Sequence, residues 1–177
     1  MRRALTAHPA APPSTAIRIE AELVREAGRL ALTFVVTGEI GQLSIAAPAQ
    51  PERADGLWRT TCFEAFLQAA DAEAYVELNL SPSGRWAAYR FDACRAGIGP
   101  AALVAPPRIA TRRESDWFEL SAYVGLGGTP PPLAPWRIGL TAVIEELGGV
   151  KSYFALAHPS GKPDFHDSRG YILEVPA

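Results

Sequence analysis

The sequence predicts an all-β fold, a two-sheet antiparallel β-sandwich of the jelly-roll or immunoglobulin-like kind with about 10–11 strands. Three observations predict it. Apolar and polar residues alternate at period two along most of the chain, the pattern of half-buried strands. The 16 prolines and 15 glycines are scattered between apolar runs instead of forming repeats, which marks turns. Hydrophobic residues make up 48% of the 177 positions against 20% charged, enough apolar side chain for one packed core, and about two-thirds of the unfolded surface is buried at this size.

The elements follow in order. Residues 17–24 set Ile17, Ile19, Ala21 and Leu23 on one face and Arg18, Glu20 and Glu22 on the other. After Glu26-Ala27-Gly28 the alternation resumes over 29–37 through Leu30, Leu32, Phe34 and Val36, a hairpin with a glycine in its turn. Further strands are predicted at 42–46, 60–68, 74–81, 84–91, 107–113, 116–124, 136–146, 150–158 and 170–175. The gaps 47–58, 92–106 and 125–135 are rich in Pro, Gly and Ala and read as loops, with a short helical turn near 92–98. Residues 1–14 are expected to be a flexible leader and 15–177 a single domain.

Two hairpins can be put in register. Ser81-Pro82-Ser83-Gly84 suits a type I turn. With Ser81 opposite Gly84, Asn79 pairs with Trp86, Glu77 with Ala88 and Tyr75 with Arg90, while Val76, Leu78 and Leu80 turn to the core. The second hairpin turns at Leu147-Gly148-Gly149. It pairs Glu145 with Lys151, Val143 with Tyr153 and Thr141 with Ala155, and the facing charges favour that register by about 0.2–1 kcal/mol.

Charge and composition exclude several functions. A net charge of −2 and a pI near 5.9 give no counterion-release drive towards nucleic acid. No run approaches the ~18 apolar residues of a membrane helix. The start, MRRALTAHPAAPPST, is basic but reaches Pro9, Pro12 and Pro13 before any apolar h-region, so it is not a secretory signal and a cytoplasmic location is expected. Cys62 and Cys94 are expected as free thiols, and neither has the spacing of a zinc site. There is no GxSxG elbow, and Gly125-Leu126-Gly127-Gly128 runs into Thr-Pro-Pro-Pro, which cannot open a phosphate-binding helix.

One polar face is unusual. Cys62, Glu64 and Phe66, then Tyr75, Glu77 and Asn79, then Trp86, Ala88 and Arg90 alternate outwards on three successive strands, and Trp117, Glu119, Ser121 and Tyr123 do so on a later one. Carboxylates, an amide and a guanidinium among aromatic rings suit a polyhydroxylated ring, whose C–H faces stack on aromatics while its hydroxyls take polar partners. The alternative is that the aromatics pack beneath a loop and the charges form an internal network. A second cluster, His158-Pro159-Ser160-Gly161-Lys162-Pro163-Asp164-Phe165-His166-Asp167, is a stiff turn. His158, Lys162, Asp164 and His166 could bind a ligand at the rim, act as acid–base groups, or simply pin the loop. The spacing of His158 and His166 matches no metal motif.

The stretches Leu57-Trp58-Arg59-Thr60-Thr61-Cys62-Phe63-Glu64-Ala65-Phe66-Leu67 and Tyr75-Val76-Glu77-Leu78-Asn79-Leu80-Ser81-Pro82-Ser83-Gly84-Arg85-Trp86, together with HPSGKPDFHD, resemble the bacterial DOMON-like domains, relatives of the family nine carbohydrate-binding modules. The likeness spans about residues 15–175. It implies a β-sandwich that binds sugars or haem and is not an enzyme. It also implies that Trp58 flanks the ligand while Glu64, Glu77 and Asn79 bond its hydroxyls, with Trp86, Trp117 and Trp136 as candidates for a second stacking ring. Haem-binding relatives use axial Met and His, but the one methionine is Met1 and there are three histidines, so no haem is expected. Calcium supports a loop in some relatives. The expectation is a non-catalytic module for a carbohydrate-like small molecule, using Trp58, Glu64, Glu77, Asn79, Trp86, Arg90, His158, Lys162, Asp164 and His166. The alternatives are a small hydrolase or isomerase working through the His158–His166 loop, and a structural or interaction domain.

Overall fold

The computed structural model describes residues 2–26, 29–128, 130–131 and 133–176. The turn expected at Ala27-Gly28 lies outside the described residues. The described chain is all-β: β1 (Arg3–Ala7), β2 (Ile17–Glu26), β3 (Arg29–Gly38), β4 (Cys62–Ala69), β5 (Tyr75–Leu80), β6 (Trp86–Phe91), β7 (Gly99–Pro100), β8 (Arg108–Arg113), β9 (Trp117–Gly125), β10 (Trp136–Glu145), β11 (Lys151–Ala155) and β12 (Leu173–Val175).

The two-sheet sandwich does not form. All the strands belong to one 12-stranded antiparallel sheet in the order β7-β6-β5-β4-β10-β11-β1-β2-β3-β9-β8, with β12 pairing to β10. It is strongly curled into a half-barrel. The strand that makes it continuous is β1: Arg3–Leu5 pair with β2, while Thr6 and Ala7 pair with Ala155 and Phe154 of β11. β1 lies inside the stretch expected to be a leader, where basic residues and prolines conceal a strand. Without it the remaining strands would separate into two groups, which is the arrangement the sequence suggested.

The core fills the inside of the curl. Phe34 on β3 lies 5.1 Å from Phe63 on β4, and Phe63 stacks 6.0 Å from Phe118 on β9. Ile19, Leu30, Leu32, Val76, Leu78, Leu80, Leu120, Ile138 and Leu140 surround them, all fully buried. Each large side chain buried in this way contributes about 1.5–3 kcal/mol. Trp136, in the middle of the sheet, is also buried. Its indole Nε1 donates to the Pro131 carbonyl, and the Arg25 guanidinium lies 3.7 Å from the ring centroid.

Two predicted strands shrink. Over 42–46 the chain makes a 3₁₀ turn (Ile40–Gln42) and a single bridge from Leu43 to Glu146. The last strand is confined to Leu173–Val175 behind a 3₁₀ turn at Ser168–Gly170. Residues 92–97 form turns, not a helix.

The β10–β11 hairpin has the predicted register, Glu145 with Lys151 and Val143 with Tyr153, and the Lys151 ammonium lies 3.5 Å from Glu145. The β5–β6 hairpin is one residue off the predicted one. Leu80 pairs with Trp86, Leu78 with Ala88, Val76 with Arg90, Glu77 with Tyr89 and Tyr75 with Phe91. The cause is the turn. Gly84 donates to the Ser81 carbonyl as a type I turn requires, but Gly84 itself takes φ +88° and adds a third loop residue, so Ser81 bonds Arg85. A type I turn followed by a left-handed glycine is the standard three-residue hairpin loop. The slip turns every β6 side chain to the opposite face.

Candidate functional site

β4, β5, β6, β10 and β11 have a second face, turned away from the core, and it floors a cavity of about 980 Å³. Alternation on β5 sends Val76, Leu78 and Leu80 into the core and leaves Tyr75, Glu77 and Asn79 on this side, as the sequence predicted. β4 supplies Glu64 and Phe66, β6 Tyr89 and Phe91, β10 Val143 and β11 Tyr153.

Three loops wall the floor. Residues 49–54 run beside the start of β6, held by backbone bonds between Ala49 and Ser83 and from both Glu52 and Ala54 to Trp86. They deliver Arg53, Asp55, Trp58 and Arg59 to the cavity. The segment after β6 brings Arg95, Ile98 and Pro100, and the loop after β11 brings Lys162, Pro163, Phe165 and His166. Trp58 is 51% exposed, a large apolar ring left facing solvent at the cavity wall. The Arg59 guanidinium lies 5.5 Å from its centroid.

The floor sets two buried carboxyl groups among aromatic rings. Glu64 is 2% exposed. One carboxyl oxygen, Oε2, accepts from Thr141 Oγ1 at 3.3 Å, while Oε1 is buried with no hydrogen-bond partner among the described residues. Burial first, and the neighbouring Glu77 second, push the Glu64 carboxyl well above the usual range. Burial thus favours its protonated form, which has one O–H to donate. Glu77 is also raised, by burial, although Asn79 Nδ2 donates to its Oε1 at 2.7 Å. Asn79 is wholly buried beneath the floor and acts by holding Glu77 in place.

His166 ties the C-terminal loop to the floor. The Tyr75 hydroxyl accepts from the Arg95 backbone N–H at 3.3 Å and is hydrogen-bonded with His166 Nδ1, 2.7 Å away. The other ring nitrogen, Nε2, lies 3.8 Å from Glu77 Oε2. Burial, with the nearby Arg95 charge, lowers the His166 pKa to about 4, so at neutral pH this is a neutral imidazole and not half of an ion pair. Phe66, Phe91 and Tyr75 pack around its ring at 5.1–5.9 Å, edge to face. At the other wall the Tyr89 hydroxyl donates to Asp55 Oδ1 at 2.6 Å, and Asp55 also pairs with Arg53 at 3.0 Å.

Of the residues singled out in the sequence, Trp58, Glu64, Glu77, Lys162 and His166 line the cavity, and Asn79 supports it. Trp86 and Arg90 do not. The one-residue register change turns Trp86 onto the core side and Arg90 to the face opposite Tyr89, where it pairs with exposed Asp92 at 2.6 Å. Asp164 lies outside, bonding the backbone N–H of His166 and the Arg95 guanidinium. His158 also lies outside, bonded to the Thr6 carbonyl and packed edge-on against His8. Trp117, Glu119, Ser121 and Tyr123 alternate as predicted, but on β9, in the other half of the curl. The residues missed are Tyr89, Phe91, Tyr153, Phe165, Asp55 and the two arginines Arg53 and Arg59. Reading Ser-Pro-Ser-Gly as a three-residue loop would have found the first two.

Among the described residues no group of three or more His, Cys, Asp and Glu side chains is placed to hold a metal ion, and no helix is long and apolar enough to cross a membrane. Cys62 is buried and Cys94 exposed, both free.

No family model matches the sequence, and no curated protein matches it significantly. The fold has solved neighbours. A Bacteroides uniformis protein assigned as carbohydrate-binding superposes with a TM-score of 0.70 at 11% identity, over 96% of this chain and 83% of its own. A family 9 carbohydrate-binding module from Caldicellulosiruptor kristjanssonii, in complex with glucose, gives 0.53 at 12% identity over 89% and 76%. The cellotriose complex of a module from that organism gives 0.55 at 12% over 89% and 74%. At such identities the likeness establishes a shared fold.

Proposed function

We propose that this protein is a non-catalytic carbohydrate-binding module and that the cavity over β4–β6, β10 and β11 is its ligand site. The observation that carries the reading is the pairing of an exposed indole, Trp58, with the buried carboxyl groups of Glu64 and Glu77 in one cavity. A sugar ring needs both: a flat apolar surface for its C–H bonds and fixed polar groups for its hydroxyls. Trp58 supplies the first, with Tyr89, Tyr153 and Phe165 as further rings. Glu64 Oε1, buried and without a hydrogen-bond partner among the described residues, belongs to a residue that lines the same cavity. The fold shared with modules solved in complex with glucose and cellotriose supports the same reading. So does the resemblance to DOMON-like domains, which this proposal retains.

Isothermal titration against neutral mono-, di- and trisaccharides, glucose and cellotriose included, tests it, with indole fluorescence as a second readout. Saturable binding that shifts the fluorescence is expected. A flat response from every sugar in both readouts sinks the proposal.

A further inference from the structure

The cavity carries more positive charge than a neutral sugar uses. Four cationic side chains line it: Arg53, Arg59, Arg95 and Lys162. Two are satisfied within the protein, Arg53 by Asp55 at 3.0 Å and Arg95 by Asp164 at 2.8 Å. Arg59 and Lys162 have no carboxylate within ion-pair distance among the described residues. The acids of the floor do not balance them. Glu64 and Glu77 are 2% and 5% exposed and engaged by Thr141 and Asn79. Two cations from separate segments, the 57–59 turn and the 158–170 loop, thus converge unpaired on one cavity of a chain whose net charge is −2.

The Arg59 side chain passes over Gly56, which has φ +73°. The guanidinium lies over one face of the Trp58 ring, 5.5 Å from its centroid, and both residues line the same cavity. A planar guanidinium matches a carboxylate or phosphate with two parallel hydrogen bonds, and a lysine adds a point charge. Resting on the carbohydrate reading above, we infer that the preferred ligand is a pyranose bearing an anionic group, a carboxylate or a phosphate, whose charge is taken by Arg59 and Lys162.

The test titrates the full chain with glucose, galactose and mannose, with their uronates and with their 6-phosphates, in low salt and in 1 M NaCl. The wild type is compared with the double variant R59Q/K162Q, whose thermal melt checks folding; both side chains are exposed, so the fold should survive. At low salt at least one anionic sugar should bind about tenfold or more tightly than its neutral parent. That ratio should fall towards one in the double variant, and also at about 1 M salt, where the screening length is about 3 Å. A preference for uronate over 6-phosphate, or the reverse, identifies which anion the site takes and supports the inference. Equal affinity for neutral and anionic sugars, or a preference that survives the double variant, overturns the inference and leaves the carbohydrate reading standing. Acetate or inorganic phosphate competing as well as the anionic sugars shows that the ring contributes nothing and overturns both. Binding by no member of the series also overturns the inference, and the di- and trisaccharide titration above then decides the carbohydrate reading.

Discussion

The Tyr75 hydroxyl lies 2.7 Å from Nδ1 of His166, so a strand in the middle of the floor grips a loop that walls the cavity. The same hydroxyl accepts from the backbone of Arg95, in a second wall. Two of the three loops around the cavity therefore depend on one phenol. Tyr75→Phe keeps the ring, which stacks 4.7 Å from Phe91, and removes only these bonds. It should cost about 1–2 kcal/mol by urea denaturation, because His166 Nδ1 is left without its hydrogen-bond partner. Amide exchange should quicken in residues 158–170 and 94–97 while the β2–β3 half stays protected. Uniform loss of protection across both halves of the sheet would show that the bond is part of global stability and not a local clasp.

The pH dependence of His166 has a definite sign. Its folded pKa is about 4 against an ordinary value of 6.5, lowered by burial and then by Arg95. Between those values the unfolded chain binds a proton that the folded chain refuses, so the contribution is fully present above about pH 6.5 and is lost as pH falls towards 4. The difference corresponds to roughly 3 kcal/mol at most. NMR titration of the His166 ring should show a neutral imidazole down to about pH 5. The acid slope of the melting temperature should be shallower in His166→Gln. A ring that titrates near 6.5 contradicts the burial argument.

Much of this site could be read from the chain, and the failures have physical causes. The parity of β5 follows from Val76, Leu78 and Leu80, which leave Glu77 and Asn79 no other face. The β10–β11 register follows from Gly148-Gly149 and the Glu145–Lys151 pair. The β5–β6 register did not follow, because Ser-Pro-Ser-Gly fits both a two-residue and a three-residue loop, and only the left-handed Gly84 separates them. That single residue exchanged Trp86 and Arg90 for Tyr89 and Phe91. The single curled sheet in place of a sandwich rests on β1, a short strand in a Pro-flanked basic stretch whose pairing to both β2 and β11 is long-range information. The wall residues Asp55, Arg59 and Phe165 sit on loops, where no periodicity points to a direction.

Trp58 separates binding from stability. At 51% exposure it adds little to the fold, so Trp58→Ala should change the melting temperature by no more than a degree or two. Sugar affinity should drop by about tenfold or more, the scale of losing an aromatic platform, while Trp58→Phe should recover part of it. The companion substitution is Trp136→Phe, at a 1% exposed core ring, which should show the reverse pattern of lower stability and little change in affinity. Unchanged affinity in Trp58→Ala would move the ligand away from this wall.

Gly139 on β10 is the seat of Tyr171. A Cβ at this position would fall 2.6 Å from Tyr171 Cδ1, closer than any tolerated contact. Tyr171 is 1% exposed and stacks 5.6 Å from Phe66, which itself lines the cavity floor. Gly139→Ala must therefore displace the ring or bend β10. The expected loss is about 1–3 kcal/mol by chemical denaturation. Because Phe66 moves with Tyr171, ligand affinity should weaken as well. The double variant Gly139→Ala/Tyr171→Ala should recover affinity relative to Gly139→Ala alone, since the clash is gone. A Gly139→Ala protein as stable as the wild type would mean that Tyr171 has room to shift.

Glu64 gives the opposite pH sign to His166. Its folded pKa lies well above the ordinary value, through burial and then the charge of Glu77. Above the unfolded pKa the folded chain holds a proton that the unfolded chain has released, so this carboxyl lowers stability progressively as pH rises and costs nothing once both states are protonated. Glu64→Gln replaces the acid with a neutral group of the same shape that can still accept from Thr141. It should therefore be more stable than the wild type at pH 8, with a higher melting temperature. The gap should close as pH falls to about 4. The same variant keeps a polar group of the same shape at the cavity floor, so sugar affinity should survive better in Glu64→Gln than in Glu64→Ala. A gain that is constant with pH would show that Glu64 is ionised in the folded protein.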